Sequence, residues 1–178
     1  MKKAGMVICF ILIFIIIYLL QANLFAWFNL AGVKPNLFII LVLTIGLFAG
    51  KTIGITFGVI FGFILDLLIG KSVGISITML GITGFIGGYL SKNFSKDSRI
   101  TMITMIAATT LIYEIGIILL NFFINQTQIG LWYIIKNLLI ETIYNSIITI
   151  IIYPLILRLG YIIEDTFNKN NKILTRYF

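Results

Sequence analysis

Residues 37–69 read LFIILVLTIGLFAGKTIGITFGVIFGFILDLLI, and whether this run crosses a membrane once or twice decides the fold. Lys51 is its sole basic residue and Asp66 its sole acidic one. The rest of the chain is equally apolar: 60% of the 178 residues are hydrophobic, 11% are charged, and the mean hydropathy is +1.12. A soluble domain carries about 25% charged residues. The apolar excess must therefore face lipid, and the chain reads as an integral membrane protein. Spans of about 20 residues consume nearly its whole length, which excludes a separate soluble catalytic or nucleic-acid-binding domain. Histidine is absent and Cys9 is the lone cysteine. Intrachain disulfides, Cys/His zinc sites and imidazole-based triads are thereby excluded, and no metal or cofactor is expected. Cys9 reads as a small buried apolar residue.

Working outward, the apolar run 4–27 follows Lys2 and Lys3 and is far longer than the core of a signal peptide, so it reads as a retained first helix with Trp27 at the interface. Further spans are expected at about 37–50, 52–69, 72–90, 101–124 and 134–157, with a tail at 158–178. The whole chain, 1–178, is then a single polytopic membrane domain: an all-α, six-transmembrane-helix bundle. Pro35 suits the first turn of the second helix.

Charge placement arbitrates between one span and two at 37–69. With six spans and a cytoplasmic N-terminus, Lys2, Lys3, Lys51, Lys92, Lys96, Arg99, Arg158, Lys169, Lys172 and Arg176 face the cytoplasm, and Lys34, Lys71 and Lys136 face outward. Ten of the thirteen basic residues are then inside. Merging the two segments buries Lys51 and leaves four inside against eight outside. Six spans with both termini cytoplasmic are expected. The second segment covers only about 21–24 Å of a core about 30 Å thick, so it should be little tilted or have its ends covered by protein.

Gly50, Gly54, Gly58 and Gly62 recur every four residues, Asp66 takes the next step, and Gly70 and Gly74 continue the count. On one helix Gly54, Gly58 and Gly62 form a small-residue row that lets another backbone approach closely in lipid. Gly81, Gly84 and Gly88 make a second such face on the fourth helix. These faces suit packing inside the bundle or a partner's helix.

Asp66, Glu114 and Glu141 lie inside expected spans. Each would cost roughly 2.5–3.5 kcal/mol at mid-membrane on insertion scales, so none should face lipid. All three sit about 20–24 Å from the cytoplasmic helix ends, sharing one level in the outer half of the bilayer. Asn137, Glu141, Asn145, Thr149 and Tyr153 form an i,i+4 row on the sixth helix, and Thr110, Glu114 and Asn121 share a face of the fifth. A buried polar cluster of Asp66, Glu114, Glu141, Asn137 and Asn145 is expected, with Lys71 and Lys136 as counter-ions near its outer mouth. It would serve as interhelical hydrogen bonding, as a solute site or as the seat of a partner's helix.

The order Lys34-Pro35-Asn36-Leu37, Gly58, Gly62, Asp66-Leu67-Leu68, Gly70 and Val73-Gly74 resembles the MreD family of bacterial rod shape-determining membrane proteins. The basic N-terminus, Gln21 and the six-span layout agree with it over essentially the whole chain. Pro35, Asn36, Gly62, Asp66 and Gly74 are the motif positions; the family's usual Asp after the proline is Asn36 here. The resemblance implies a non-enzymatic scaffold of the cell-wall elongation machinery in the bacterial cytoplasmic membrane. It implies the partner MreC, with its one membrane helix and extracytoplasmic domain. It also implies MreB, RodA and a class B penicillin-binding protein as direct or indirect partners. A fold similar to the substrate-binding subunits of energy-coupling-factor transporters is implied too. The basic cytoplasmic side suits anionic lipid, and Lys92, Lys96 and Arg99 are candidates for a filament contact. No nucleic acid is expected. The competing reading is a solute-binding transporter subunit using the carboxylate level as its pocket. An intramembrane enzyme is poorest, because the spans hold a single aspartate and no histidine.

Overall fold

The computed structural model describes residues 2–69, 73–92, 94, 96–126 and 130–167. Gly70, Lys71 and Ser72, and with them the expected counter-ion Lys71, lie outside the described residues, as do 168–178 of the expected tail.

Among the described residues, six helical elements build the molecule. The first, α1, runs Lys2–Leu19, passes through a π-helical turn at Leu20–Leu24 and ends in the short piece Phe25–Trp27. It is followed by α2 (Leu37–Ala49), α3 (Lys51–Ile69), α4 (Ile75–Leu90), α5 (Arg99–Asn125) and α6 (Leu131–Phe167). Four of these, Ala4–Trp27, Lys51–Ile69, Arg99–Asn125 and Leu131–Phe167, are long and apolar enough to cross a membrane. The other two, α2 with 13 residues and α4 with 16, are apolar but shorter.

The run 37–69 folds as two helices. Gly50 breaks it: its φ of 92° with ψ 174° lies where a side chain is strained, and the chain doubles back within that one residue. Packing then separates the roles of the two halves. Apolar on all sides, α2 is buried along its length apart from Leu41, with Ile39, Val42, Ile45 and Phe48 fully buried. Protein therefore encloses the helix that is too short for the bilayer. By contrast, α1 turns one face inward through Met6, Phe10 and Phe14, four residues apart. Phe10 meets Phe57 edge-on and Phe14 stacks on Phe61. Its opposite face, with Ile8, Leu12 and Ile16, is exposed, as lipid-facing residues are.

The glycines hold α2, α3 and α4 together backbone to backbone. A Cβ at Gly54 would lie 2.6 Å from the carbonyl oxygen of Gly84, and one at Gly62 would lie 2.5 Å from that of Ser76. A Cβ at Gly58 would collide with the Leu80 carbonyl, and one at Gly88 with the Lys51 backbone. Gly46 and Gly87 extend the same seam between α2 and α4, where a Cβ on Gly46 would sit 2.5 Å from Gly84 O. Without a hydrophobic driving force in lipid, such close approach supplies the van der Waals and Cα–H···O contacts that hold helices together. Gly81 is different, since its Cβ would meet only the Val59 side chain at 3.2 Å.

Ten residues past its expected end, α6 is still helical: it reaches Phe167 rather than stopping at Leu157. Pro154 lies inside it. Gly160 lets the Phe48 ring lie against the α6 backbone. Beyond it Tyr161 donates its hydroxyl to the Asp97 side chain and Glu164 pairs with Lys96 at 3.2 Å, while Tyr153, before it, donates to the Asp97 backbone carbonyl. The first part of the expected tail is thus a strap that fastens the loop between α4 and α5.

Candidate functional site

Asp66 ends the glycine row of α3, and its carboxylate accepts the backbone N–H groups of Gly74 (2.7 Å), Ser76 (3.1 Å) and Ile77 (3.3 Å). It therefore caps α4 from another helix, supplying negative charge where that helix presents unpaired donors. Gly74 makes the geometry accessible through its φ of 114°. The motif G-x3-G-x3-D followed by Gly74 is thus one structural device: glycines bring α4 against α3, and the aspartate fixes where α4 starts.

A second polar group gathers α1, the 34–36 segment, α5 and α6. The π-turn carries Gln21, whose side-chain amide donates to the carbonyl of Pro35 at 2.8 Å. The backbone N–H of Asn36 donates to Asn145 Oδ1 at 2.8 Å, and Asn145 Nδ2 donates to Thr110 Oγ1 at 3.2 Å. Asn145 is fully buried, as is Thr149, whose hydroxyl donates back to its carbonyl. A proline two residues before Leu37 removes a donor, so the carbonyl of Pro35 and the N–H of Asn36 are the groups that need partners at this helix start. The Tyr113 hydroxyl faces the Asn36 side-chain amide and lies within electrostatic reach of Glu114, Glu141 and Asp66. Glu114 and Glu141 are close neighbours whose carboxyl groups interact electrostatically. Toward the same end of α6, Tyr144 donates to the Phe28 carbonyl at 2.6 Å and sets its ring edge against Phe25.

The expected polar residues therefore divide. Glu114, Glu141 and Asn145 come together, while Asp66 stays near them but is spent on capping α4. Asn137 is half-buried two turns from Asn145 on the same helix. Asn121 turns to its own helix, donating to Ile117 O. Among the described residues no basic side chain pairs with Glu114 or Glu141, Lys136 included. In the basic loop, Lys96 is paired with Glu164 and lies over Phe48, and Arg99 lies over Tyr153. Lys51 likewise lies over Phe85. Cys9 is half-buried rather than buried, and with Met6, Phe10, Leu41, Ile45 and Ile162 it lines an apolar cavity of about 620 Å³ between α1, α2 and α6.

Tyr113, Gly46 and Gly87 had no place in the sequence reading. Gly46 is one step before Gly50 in the same four-residue count, a signal that was present. Nothing in the spacing marks Tyr113, because an aromatic residue on an apolar helix reads as core.

The described residues are helical apart from turns and one isolated bridge, with four helices long and apolar enough to cross a membrane and with Asp66 and Glu141 buried among them, the character of a membrane protein. This chain belongs to the MreD family: the family model described as rod shape-determining protein MreD matches residues 1–161. It is thus a rod shape-determining membrane protein by family, a class with no established enzymatic role. No curated protein and no solved structure matches the chain.

Proposed function

We propose that this protein is a non-enzymatic membrane scaffold of the cell-wall elongation machinery, binding MreC and linking cytoplasmic MreB to RodA and a class B penicillin-binding protein. The observation that carries the reading is family membership across 1–161, in a chain whose length is taken up by a helical bundle. Such a bundle acts through lateral contacts and short loops. On this reading all six helices cross the bacterial cytoplasmic membrane, with α2 and α4 shielded by protein, and both termini are cytoplasmic. On the same reading the fold is similar to that of the substrate-binding subunits of energy-coupling-factor transporters.

Because the α3 and α4 glycines are occupied by one another and by α2, the surface that receives MreC is a lipid-facing helix surface elsewhere on the bundle. With Lys96 paired to Glu164 and Arg99 lying over Tyr153, the exposed Lys92 is the basic residue of that loop offered to MreB or anionic lipid. Depleting the protein tests the reading: rod shape and MreC localisation should both be lost. Cells that keep their shape and their MreC pattern would overturn it.

The second reading, a solute-binding subunit of a membrane transporter, is favoured by one observation, the buried Glu114–Glu141 pair. A small molecule found by mass spectrometry in purified protein, together with an energising partner, would support it.

A further inference from the structure

Three side-chain oxygens in the second polar group, Gln21 Oε1, Asn36 Oδ1 and Glu141 Oε1, are buried and receive no hydrogen bond from the protein. Each is an acceptor. Gln21 cannot turn its amide over to offer a donor without losing the bond from its nitrogen to Pro35 O. Glu141 is only 8% exposed, and its neighbour is a second carboxyl, Glu114. Polar atoms shielded in this way are costly and as a rule find a partner.

We propose that Glu114 and Glu141, with the side-chain oxygens of Gln21 and Asn36, bind a small monovalent cation inside the bundle. The donor set contains carboxylate and amide oxygens and no nitrogen or sulfur, which is the chemistry of hard cations. One positive charge between two carboxyl groups removes the repulsion that ionised neighbours would otherwise suffer. Divalent ions fit poorly. Calcium takes six to eight oxygen ligands, a number that two carboxyl and two amide groups reach only if both carboxylates bind through both oxygens, and magnesium retains several waters. The surrounding backbone has the character of such sites, since Gln21 lies in a π-turn and Asn36 in the non-helical segment before α2. The bonds that fix these residues do not use the orphaned oxygens: Gln21 is held through its nitrogen, and Asn36 through its backbone N–H to Asn145. This inference stands apart from any role in wall synthesis.

The test is the thermal unfolding of the purified full chain in detergent at constant ionic strength, titrated with NaCl or KCl against N-methylglucamine chloride. A bound cation should leave Tm unchanged well below its Kd and raise it with the logarithm of concentration above, by about 5–10 °C at a hundredfold excess over Kd. The more effective of the two ions identifies the occupant. Glu141→Gln should abolish the response. Asn36→Ala, which keeps the backbone N–H that Asn145 receives, should shift it to roughly tenfold higher salt and covers the case in which Glu141→Gln does not fold. Equal Tm in all three salts would mean that water alone meets these oxygens and would overturn the proposal. So would a response that persists undiminished in both variants, or one seen only with Ca²⁺ or Mg²⁺.

Discussion

Asp66 Oδ2 accepts the backbone N–H of Gly74 at 2.7 Å, so the last polar residue of α3 defines the first turn of α4. The same carboxylate also serves Ser76 and Ile77, which leaves three donors without partners if it is removed. Asp66→Ala should cost about 2–4 kcal/mol, a fall in Tm of roughly 5–15 °C. Asp66→Asn keeps one acceptor oxygen and should fall between it and the wild type. Thermal unfolding in detergent measures both. An alanine variant as stable as the wild type would remove the cap from the account.

Glycine substitutions should sort by what the new methyl group meets. Gly58→Ala drives a Cβ into the Leu80 backbone, and Gly54→Ala places one 2.6 Å from Gly84 O. Each should lose about 1–3 kcal/mol through overpacking. Gly81→Ala meets one Val59 methyl at 3.2 Å and should stay within about 1 kcal/mol of wild type. Equal losses at all three positions would contradict the seam.

The glycine count shows how far the sequence could be read. A four-residue repeat signals close helix approach in lipid, and that much was legible at Gly54, Gly58 and Gly62. The identity of the approaching helix was not, because a small-residue row has the same pattern whether it meets α4 or another protein. Asp66 was legible as a residue that must avoid lipid. Its partner was hidden because backbone N–H groups leave no trace in a sequence. The extension of α6 to Phe167 was missed for a related reason: Arg158, Glu164 and Asp165 dilute its apolar pattern, and its partners Asp97 and Lys96 lie some 60 or more residues away in the chain.

Glu114→Gln and Glu114→Leu together test the polar interior. The glutamine keeps a polar group beside Glu141 and should be tolerated. The leucine strands the buried Glu141 carboxyl and should cost about 1–3 kcal/mol. A leucine variant at least as stable and active as the wild type would place Glu114 on a lipid-facing surface instead.

Stopping the chain after Leu157 should destabilise it far more than any single change in the strap. Truncation removes the Gly160–Phe48 packing, the Tyr161 hydroxyl and Glu164 together. Glu164→Ala alone breaks a partly exposed ion pair with Lys96 and should cost only about 0.5–1 kcal/mol, less at high salt. Denaturation of the two proteins side by side checks the ordering. Equal stability of truncated and full-length chains would show that 158–167 adds nothing to the bundle.

The central claim is that the bundle works by holding partners in the membrane. Affinity purification of the tagged protein from its own membranes, with quantitative mass spectrometry of what accompanies it, tests this most directly. MreC should be enriched with the wild-type chain and lost with Gly58→Ala if that variant unfolds the α3–α4 seam. Purified, folded protein that brings down no MreC and none of the elongation synthases would contradict it.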